Sequence, residues 1–344
     1  SLTPQIASGW GEDDDLFSRT YPMDMRPQGH DIIRTWLFST AVRSHLEEAT
    51  APWRNCALSG WILDPDRKKM SKSKGNVVTP KALLDQYGSD AVRYWAANGR
   101  PGTDTAFDEG QMKIGRRLAI KILNVSKFSL TLAGDSEADL GSVSNPLDQA
   151  LLSKLAVLIE TATAAFDDFD YARALERTEQ FFWSFTDDYV ELVKARAYGS
   201  QGPQEAESAH TTLVITLDAL LRLFAPFLPF VTAEVWGWSH QDSIHSSPWP
   251  TKVNLTKGLP KEIDIRILDA ASETLSEVRR AKTEAKRSLK VKAEKVVVAA
   301  TSEHINLVNL VRSDLVEAGN IETLELVKQE GITPKVEVTL AEEE

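Results

Sequence analysis

The 344-residue sequence contains a single cysteine, Cys56, and six histidines that are scattered along the chain. One cysteine excludes a disulfide framework and any zinc site built from several cysteines. The histidines show no spacing typical of metal ligands, so we predict no protein-bound metal. Long hydrophobic runs are also lacking, because the most apolar stretch, 220–235, contains Pro226 and Pro229 and is too short to cross a bilayer.

Basic residues are outnumbered, with 39 Lys and Arg against 50 Asp and Glu and a formal net charge of −11. A net acidic chain does not favour nucleic-acid binding in general, so any contact with phosphate depends on local basic stretches. The chain begins without a signal-peptide pattern, which predicts a cytoplasmic protein without a membrane partner. Its 42% hydrophobic and 26% charged residues are ordinary for globular proteins, and its length predicts two or three domains.

The chain changes character twice, which predicts three domains and a fold class of α/β plus all-α. Residues 1–104 alternate helical periods with a short apolar run, 55–64, that suits a buried strand. Residues 105–250 contain four or five amphipathic helices with short connections, which favours an antiparallel bundle. We expect the two prolines named above to break the last helix. Residues 251–344 combine a basic helix with strands and predict a small α/β domain.

Local signals refine this division. Apolar residues recur with a helical period after Asp31, which is a candidate helix cap or first-turn acid. Another helix is expected to begin at Thr79 and Pro80. The basic stretch 279–295 is typical of the solvent face of a helix, and it could also contact the backbone of a nucleic acid.

The strongest chemical signal is a lysine-rich loop at residues 68–76, with the sequence KKMSKSKGN. Its ammonium and hydroxyl groups can bind a polyphosphate, and Gly75 permits the positive φ of a tight turn. Such a loop could stabilise the charge that develops on a leaving pyrophosphate. On composition alone, a solvated basic loop is the more common outcome.

The order of these residues resembles a known family. The segment 69–73, KMSKS, is identical to the second signature of the class I aminoacyl-tRNA synthetases, and strand-like SGWILD and helix-like YGSDAVRYW flank it. The segments GHDIIRTW, KMSKSKGNV, YGSDAVRYW and FDEGQMKIGRRLAIKILNVSKF follow the order of the valyl subfamily. The resemblance implies the second half of a Rossmann-like catalytic domain followed by an anticodon-binding bundle. It also implies activation of valine with ATP and Mg²⁺ and transfer of valine to tRNA(Val).

The resemblance further implies roles for individual residues. Lys69 and Lys72 would hold the ATP phosphates and act in catalysis, with Ser71 and Ser73 shaping the loop. The residues implied for ATP and adenosine binding are Gln28, Gly29, Asp31, Trp61, Ile62, Leu63 and Met70. A carboxylate at position 31 suits two ribose hydroxyls, a role compatible with a helix cap.

Ile32 and Trp36 match positions that line the amino-acid pocket of the valyl subfamily. Their spacing of four residues predicts one helix face, although ordinary core residues show the same spacing. An apolar pocket of this kind rejects bulkier side chains better than it rejects threonine. The residues implied for tRNA binding are Arg116, Arg117, Lys121, Asn124, Lys127 and Phe128. Unpaired bases stack well on aromatic rings, whereas a solvated helix face with a core Phe is equally compatible with this pattern.

The family's first signature, His-x-Gly-His, is absent from the sequence, as is an editing domain. The chain also begins at Ser1 in mid-pattern, so we expect a monomeric C-terminal fragment that is inactive alone. Two alternatives stay open. One is an isoleucyl- or leucyl-tRNA synthetase fragment, and the other is a non-catalytic tRNA-binding module that retains the lysine-rich loop.

Overall fold

The computed structural model describes residues 1–71, 73, 75–134, 138–260 and 262–342. The chain divides into two units. Unit 1 comprises residues 1–116 and 165–172, and unit 2 comprises residues 117–164 and 173–344. The described residues are helical with small sheets.

Unit 1 combines short strands with short helices. Its strands are β1 Met23–Gly29, β2 Trp53–Ser59, β3 Ile62–Leu63 and β4 Thr105–Ala106. Its helices are α1 Thr3–Ala7, α2 Asp14–Thr20, α3 Phe38–Glu48, α4 Pro80–Tyr87 and α5 Ser89–Ala97, followed by α6 Glu109–Ala133, which continues into unit 2. A 3₁₀ turn, His30–Ile32, and a π turn, Ile33–Leu37, lie between β1 and α3.

The sheets of unit 1 are parallel pairs. Strand β1 pairs with β2 from Met23 opposite Trp53 to Gly29 opposite Ser59, and β3 pairs with β4. The sequence did not indicate β1, because Pro27 and alternating charges are unusual in a strand. The single run expected at 55–64 is two strands with a break at Gly60 and Trp61.

Helices α4 to α6 enclose a small apolar cluster in unit 1. The cluster consists of the buried side chains of Leu83, Tyr87, Ala91 and Met112. The Tyr87 hydroxyl donates a 2.5 Å hydrogen bond to Glu109 Oε2, and this bond to a carboxylate raises the pKa of Tyr87. The predicted helix start at Pro80 is confirmed.

Unit 2 is mainly helical. Its helices after α6 are α7 Pro146–Asp167, α8 Tyr171–Ser184, α9 Val190–Ala197, α10 Pro203–Phe224, α11 Pro229–Trp236, α12 Lys252–Thr256, α13 Arg266–Glu284, α14 Ser302–Leu310 and α15 Arg312–Gly319. A π turn, Phe185–Tyr189, joins α8 to α9. The expected break at Pro226 and Pro229 is confirmed, because α10 ends before the first proline and α11 begins at the second.

Helix α7 supplies a fully buried stripe to unit 2. Leu147, Leu151 and Leu155 are four residues apart and have no exposed surface, as the helical period requires. Among the described residues, this is the one helix whose length and composition would allow it to cross a membrane. Half of its most apolar window is buried inside the protein, and core helices of soluble proteins pass the same test.

The C-terminal part of unit 2 contains a three-stranded sheet in the order β6, β5, β7. Its strands are β5 Ala293–Ala300, β6 Ile321–Lys328 and β7 Lys335–Leu340. Central strand β5 runs parallel to β6 and antiparallel to β7. Strands were expected at all three places, and the single helix expected near 303–312 is the pair α14 and α15.

The basic stretch 279–295 is only partly the solvent face that its composition indicated. Lys282 is buried, and its Nζ donates to the carbonyl oxygens of Leu289 and Gly319 at 3.1 and 2.6 Å. Burial lowers the pKa of Lys282. Its side chain therefore joins α13 to the segments before β5 and β6.

A buried charge network joins α7, α9 and α15. The Arg196 guanidinium has no exposed surface and donates to both carboxylate oxygens of Asp148 at 2.7 and 2.8 Å. Its Nε donates to Asp314 Oδ1 at 3.0 Å, and the Tyr189 hydroxyl and Ser208 Oγ donate to Asp148. Burial raises the pKa of Asp314 to about 6, and Arg196 acts in the opposite direction.

We expect Arg196→Met to lower the free energy of unfolding of the chain by about 3–5 kcal/mol, because two buried carboxylates lose their cation. Urea unfolding followed by circular dichroism measures this loss. Arg280→Met is the matched control, since its side chain is 63% exposed and pairs with Glu277 and Glu284 of the same helix. The control should change stability by less than about 0.5 kcal/mol. Equal effects of both variants would contradict a stabilising role of the network.

Candidate functional site

The site in unit 1 begins at the break between β2 and β3. A side chain at Gly60 would place its Cβ 2.1 Å from the carbonyl oxygen of Thr103, so only glycine fits this close approach. The next residue, Trp61, donates its backbone N–H to Asp104 Oδ1 at 2.7 Å and accepts from the N–H of Thr105 at 2.9 Å. The backbone of Trp61 is therefore fixed on both sides.

Side chains from two other segments contact the indole of Trp61. The imidazole of His30 lies 4.7 Å from it between ring centroids. The ammonium of Lys69 lies 3.9 Å from the same ring centroid and 3.7 Å from Asp31 Oδ2. A cation over an indole face is attracted by the ring, and the nearby carboxylate adds to that attraction. The structure thus brings the lysine-rich loop and the GHD segment together at one tryptophan.

The lysine-rich loop begins as a short hairpin. Leu63 and Lys69 form an antiparallel bridge, and the turn between them contains Arg67 with a φ of 60°. Further along, Ser71 Oγ and Ser73 Oγ lie 3.3 Å apart. Lys72 and Lys74 lie outside the described residues. The positive φ expected at Gly75 is confirmed at 68°.

A buried glutamine lies on β1 beside the site. Gln28 is only 7% exposed, and neither its Oε1 nor its Nε2 has a hydrogen-bond partner among the described residues. Buried amides are normally hydrogen-bonded, because an unsatisfied polar group carries its full desolvation cost. An unpaired amide of this kind is suited to a polar ligand. It lies one residue before Gly29, which is the N-cap of the 3₁₀ turn that contains Asp31.

The remaining residues expected at the nucleotide site surround Trp61 in sequence. Ile62 is exposed, whereas Leu63 and Met70 are half-buried. Strand β3 carries the first two, and Met70 follows the hairpin bridge at Lys69. Apolar side chains beside an indole suit a flat, weakly polar ring such as a nucleobase.

Ile32 and Trp36, expected to share a helix face, lie in different turns. Ile32 ends the 3₁₀ turn and Trp36 lies in the π turn, so α-helical spacing does not apply to them. Both are half-buried. The Trp36 ring stacks parallel to Trp53 at 6.0 Å, and the guanidinium of Arg26 lies 4.0 Å from its centroid. One face of the Trp36 indole is therefore in contact with the Arg26 guanidinium.

The six residues expected to contact tRNA lie along α6, and two of the basic ones have polar partners in the chain. In unit 1, Arg116 donates to the Gln86 carbonyl at 2.8 Å. In unit 2, Lys121 Nζ lies 2.8 Å from Asp187 Oδ1. Exposed side chains on this helix include Arg117, Asn124 and Lys127.

Phe128 is half-buried, and its ring packs edge-on against Tyr198 with the ring centroids 6.3 Å apart. Tyr198 is 67% exposed, which makes it a further aromatic candidate for base stacking. The sequence analysis missed Tyr198, because no sequence pattern links residue 198 to residue 128 and only the folded structure brings them together. His30 and Asp104 were also missed, although His30 lies inside the GHD segment. Among the described residues, no group of three or more His, Cys, Asp or Glu could hold a metal ion.

Comparisons with known proteins match both units. Residues 1–108 match the sequence model of tRNA synthetases class I (I, L, M and V), and residues 148–298 match that of the anticodon-binding domain of tRNA ligase. The valine–tRNA ligase of Thermobifida fusca is 57% identical over 342 residues, which cover 99% of this chain and 38% of that protein. The valine–tRNA ligase of Salinispora tropica is 50% identical, over 98% of this chain and 41% of that protein.

Along both matched segments, the chain is similar to the class I aminoacyl-tRNA synthetases. It spans about two fifths of the length of the curated relatives it matches, as the 38% and 41% coverage shows. Solved synthetases share its fold. A leucyl-tRNA synthetase of Agrobacterium radiobacter K84, in a ternary complex with tRNA and LeuAMS, has a TM-score of 0.61 at 22% identity, over 74% of this chain and 32% of that chain.

A Mycobacterium tuberculosis methionyl-tRNA synthetase bound by methionyl-adenylate has a TM-score of 0.50 at 25% identity, over 66% of this chain and 46% of that chain. Both structural relatives are class I synthetases. The family resemblance inferred from the lysine-rich loop and its flanking segments is therefore confirmed for this chain.

We expect Gly60→Ala to displace the candidate site by forcing the Trp61 segment away from Thr103. Overpacking of this kind costs about 1–3 kcal/mol or more, because backbone rather than a flexible side chain must move. Hydrogen-exchange mass spectrometry should show faster exchange in peptides that contain Trp61 and Thr105. The control is Gly237→Ala, whose Cβ would make ordinary contacts at 3.5 Å. Unchanged exchange at Trp61 in the first variant would contradict this constraint.

Proposed function

We propose that this chain forms the C-terminal part of a valine–tRNA ligase. That enzyme activates valine with MgATP to valyl-adenylate and then transfers the valyl group to tRNA(Val). The observation that carries the proposal is the position of Lys69, whose ammonium lies over the Trp61 indole and beside Asp31. The relatives that are 57% and 50% identical, both named valine–tRNA ligase, support valine as the amino acid. They give no support to the isoleucyl or leucyl alternative.

In this proposal the nucleotide lies against Trp61. Lys69 contacts the ATP phosphates, and Lys72, outside the described residues, contacts them as well. Ser71 and Ser73 shape the loop, and Ile62, Leu63 and Met70 lie beside the adenine. The carboxylate of Asp31 accepts from ribose hydroxyls, next to Gly29 and the unpaired amide of Gln28. Mg²⁺ enters with ATP as part of the substrate.

The amino-acid pocket is proposed to lie at Ile32 and Trp36. Both side chains are half-buried, and the Trp36 indole is flanked by Arg26 and Trp53. An indole wall would exclude side chains larger than valine.

The tRNA surface is proposed to lie on α6. Arg117, Asn124 and Lys127 present exposed polar side chains, and Phe128 with Tyr198 offers aromatic rings. Arg116 and Lys121 would act there only after exchanging their present partners for phosphate.

The domain organisation remains part of the proposal. Residues 1–104 form the C-terminal half of the catalytic domain, and residues 105–250 form an antiparallel anticodon-binding bundle. Residues 251–344 form a small α/β domain. The enzyme is proposed to be a cytoplasmic monomer, like the soluble translation enzymes it resembles.

We expect the full-length enzyme that contains this chain to catalyse ATP–pyrophosphate exchange that depends on valine, and much less on isoleucine or leucine. Lys69→Met keeps the length of the side chain and removes its charge. This variant should lower kcat about 10²–10³-fold, because the ammonium stabilises charge that develops in the transition state. Exchange driven equally by all three amino acids would contradict valine specificity. An unchanged kcat in Lys69→Met would contradict the proposed role of Lys69.

The chain is expected to bind tRNA(Val) more tightly than the same tRNA with one anticodon base changed. Arg117→Gln should reduce the slope of log affinity against log salt concentration by about 1, because one phosphate contact is lost. Arg19→Gln is the control, since Arg19 is exposed in unit 1 and pairs with Asp15. Equal binding of both tRNAs would leave only phosphate contacts and would contradict anticodon reading by this chain.

A further inference from the structure

A pair of side chains, Asp64 and Asn76, joins the residue that directly follows β3 to the last residue of the lysine-rich loop. Asn76 Nδ2 donates to Asp64 Oδ2 at 2.7 Å, although twelve residues separate the two positions. Gly75, with its φ of 68°, turns the backbone immediately before Asn76. Neither residue belongs to a strand or helix, so this contact is independent of regular secondary structure.

Both the nitrogen and the oxygen of the Asn76 side-chain amide form hydrogen bonds. Besides its bond to Asp64, Nδ2 donates to the Lys69 carbonyl at 3.3 Å. Its Oδ1 accepts from the backbone N–H of Ser71 at 2.9 Å. One side chain thus binds Asp64, four residues before the loop, and two backbone groups within the loop.

Asp64 is a buried carboxylate that neutral donors satisfy. Asp64 is only 6% exposed, and its Oδ1 accepts a hydrogen bond from the backbone N–H of Lys68 at 2.7 Å. The ammonium of Lys68 lies 3.9 Å from Asp66. The Lys68 N–H and the Asn76 amide hold the pKa of Asp64 below its usual value, so the carboxylate is ionised at neutral pH.

Together these bonds fix the backbone of residues 68–71 at three points, which are the Lys68 N–H, the Lys69 carbonyl and the Ser71 N–H. The ammonium of Lys69 extends from this segment to the face of Trp61. A lysine side chain has several rotatable bonds, so its backbone must be held if the ammonium is to be found in one place.

We propose that Asp64 and Asn76 form a latch that positions Lys69 and Ser71 for adenylate formation. The inference rests on the proposed function, because it assigns Lys69 to the ATP phosphates. Neither latch residue touches the reacting atoms, so both are positioning residues. Their effect falls on the chemical step, because a small misplacement of a charged group weakens its contact with the transition state.

The test compares three variants of the full-length enzyme. Asn76→Ala removes the whole amide, and Asp64→Asn places two amide side chains opposite each other. The third variant combines Asp64→Asn with Asn76→Asp and reverses the pair. In it, the new amide at position 64 donates to the new carboxylate at position 76 and still accepts from the Lys68 N–H. The new carboxylate still accepts from the Ser71 N–H, but its second oxygen cannot donate to the Lys69 carbonyl, so the 3.3 Å bond is lost and two acceptors face each other there.

We expect both single substitutions to lower kcat of valine-dependent ATP–pyrophosphate exchange by about 10- to 100-fold, the range for misplaced catalytic groups. The KM for valine should stay unchanged, and the reversed pair should recover most of the lost kcat. Asp66→Asn is the matched control, because it removes an exposed carboxylate from the same turn. It should leave kcat unchanged.

A second readout does not depend on the proposed reaction. Hydrogen exchange in the 344-residue chain should lose protection at the Lys68 and Ser71 amides in both single variants and regain it in the reversed pair. If the wild-type enzyme shows no valine-dependent exchange, the proposed function fails and the latch is judged on amide protection alone. Unchanged protection and kcat in the single variants would overturn the latch, as would a reversed pair no better than either single variant.

Discussion

The close approach of Gly60 to the Thr103 carbonyl is the constraint on which the candidate site depends. It ends β2, separates β3 from it, and brings the backbone of Trp61 within hydrogen-bonding distance of Asp104. Trp61 then provides the surface on which His30 and Lys69 meet. A side chain at position 60 would move the indole, and the groups around it would lose their common partner. The position of the site therefore depends on glycine at position 60, because any other residue would have a Cβ atom there.

Both units contain buried charged side chains, and these charges are stabilised in a different way in each unit. In unit 2, Arg196 is surrounded by two carboxylates, so opposite charges compensate each other and join α7, α9 and α15. In unit 1, Asp64 is held by a backbone N–H and by the amide of Asn76. Neutral donors satisfy a carboxylate without occupying a nearby lysine. This arrangement leaves Lys69 directed to Trp61 and Asp31 instead of to Asp64.

The sequence predicted structural features that depend on one or a few neighbouring residues. It did not predict features that depend on contacts between residues far apart in the chain. The helix start at Pro80, the break at Pro226 and Pro229 and the positive φ of Gly75 follow from single residues and are confirmed. Strand β1 was missed because pairing with β2 outweighs its poor strand composition. Lys282 was expected to face solvent, yet carbonyl groups of two other segments hold it inside. No local pattern shows that Asp104 supports Trp61, or that Tyr198 packs against Phe128.

The proposed function requires an acidic chain to present a cation to the ATP phosphates, and the ion pair between Lys69 and Asp31 suits that requirement. Both side chains are about half exposed, at 45% and 48%, and the two groups lie 3.7 Å apart. Such exposed pairs contribute only about 0–1 kcal/mol, so the pair orients the ammonium without binding it strongly. A phosphate brings more negative charge than a single carboxylate and can take over the ammonium at little cost. In the proposed function, Asp31 would then accept hydroxyl groups, so that the same two residues would contact the phosphate and ribose parts of one nucleotide.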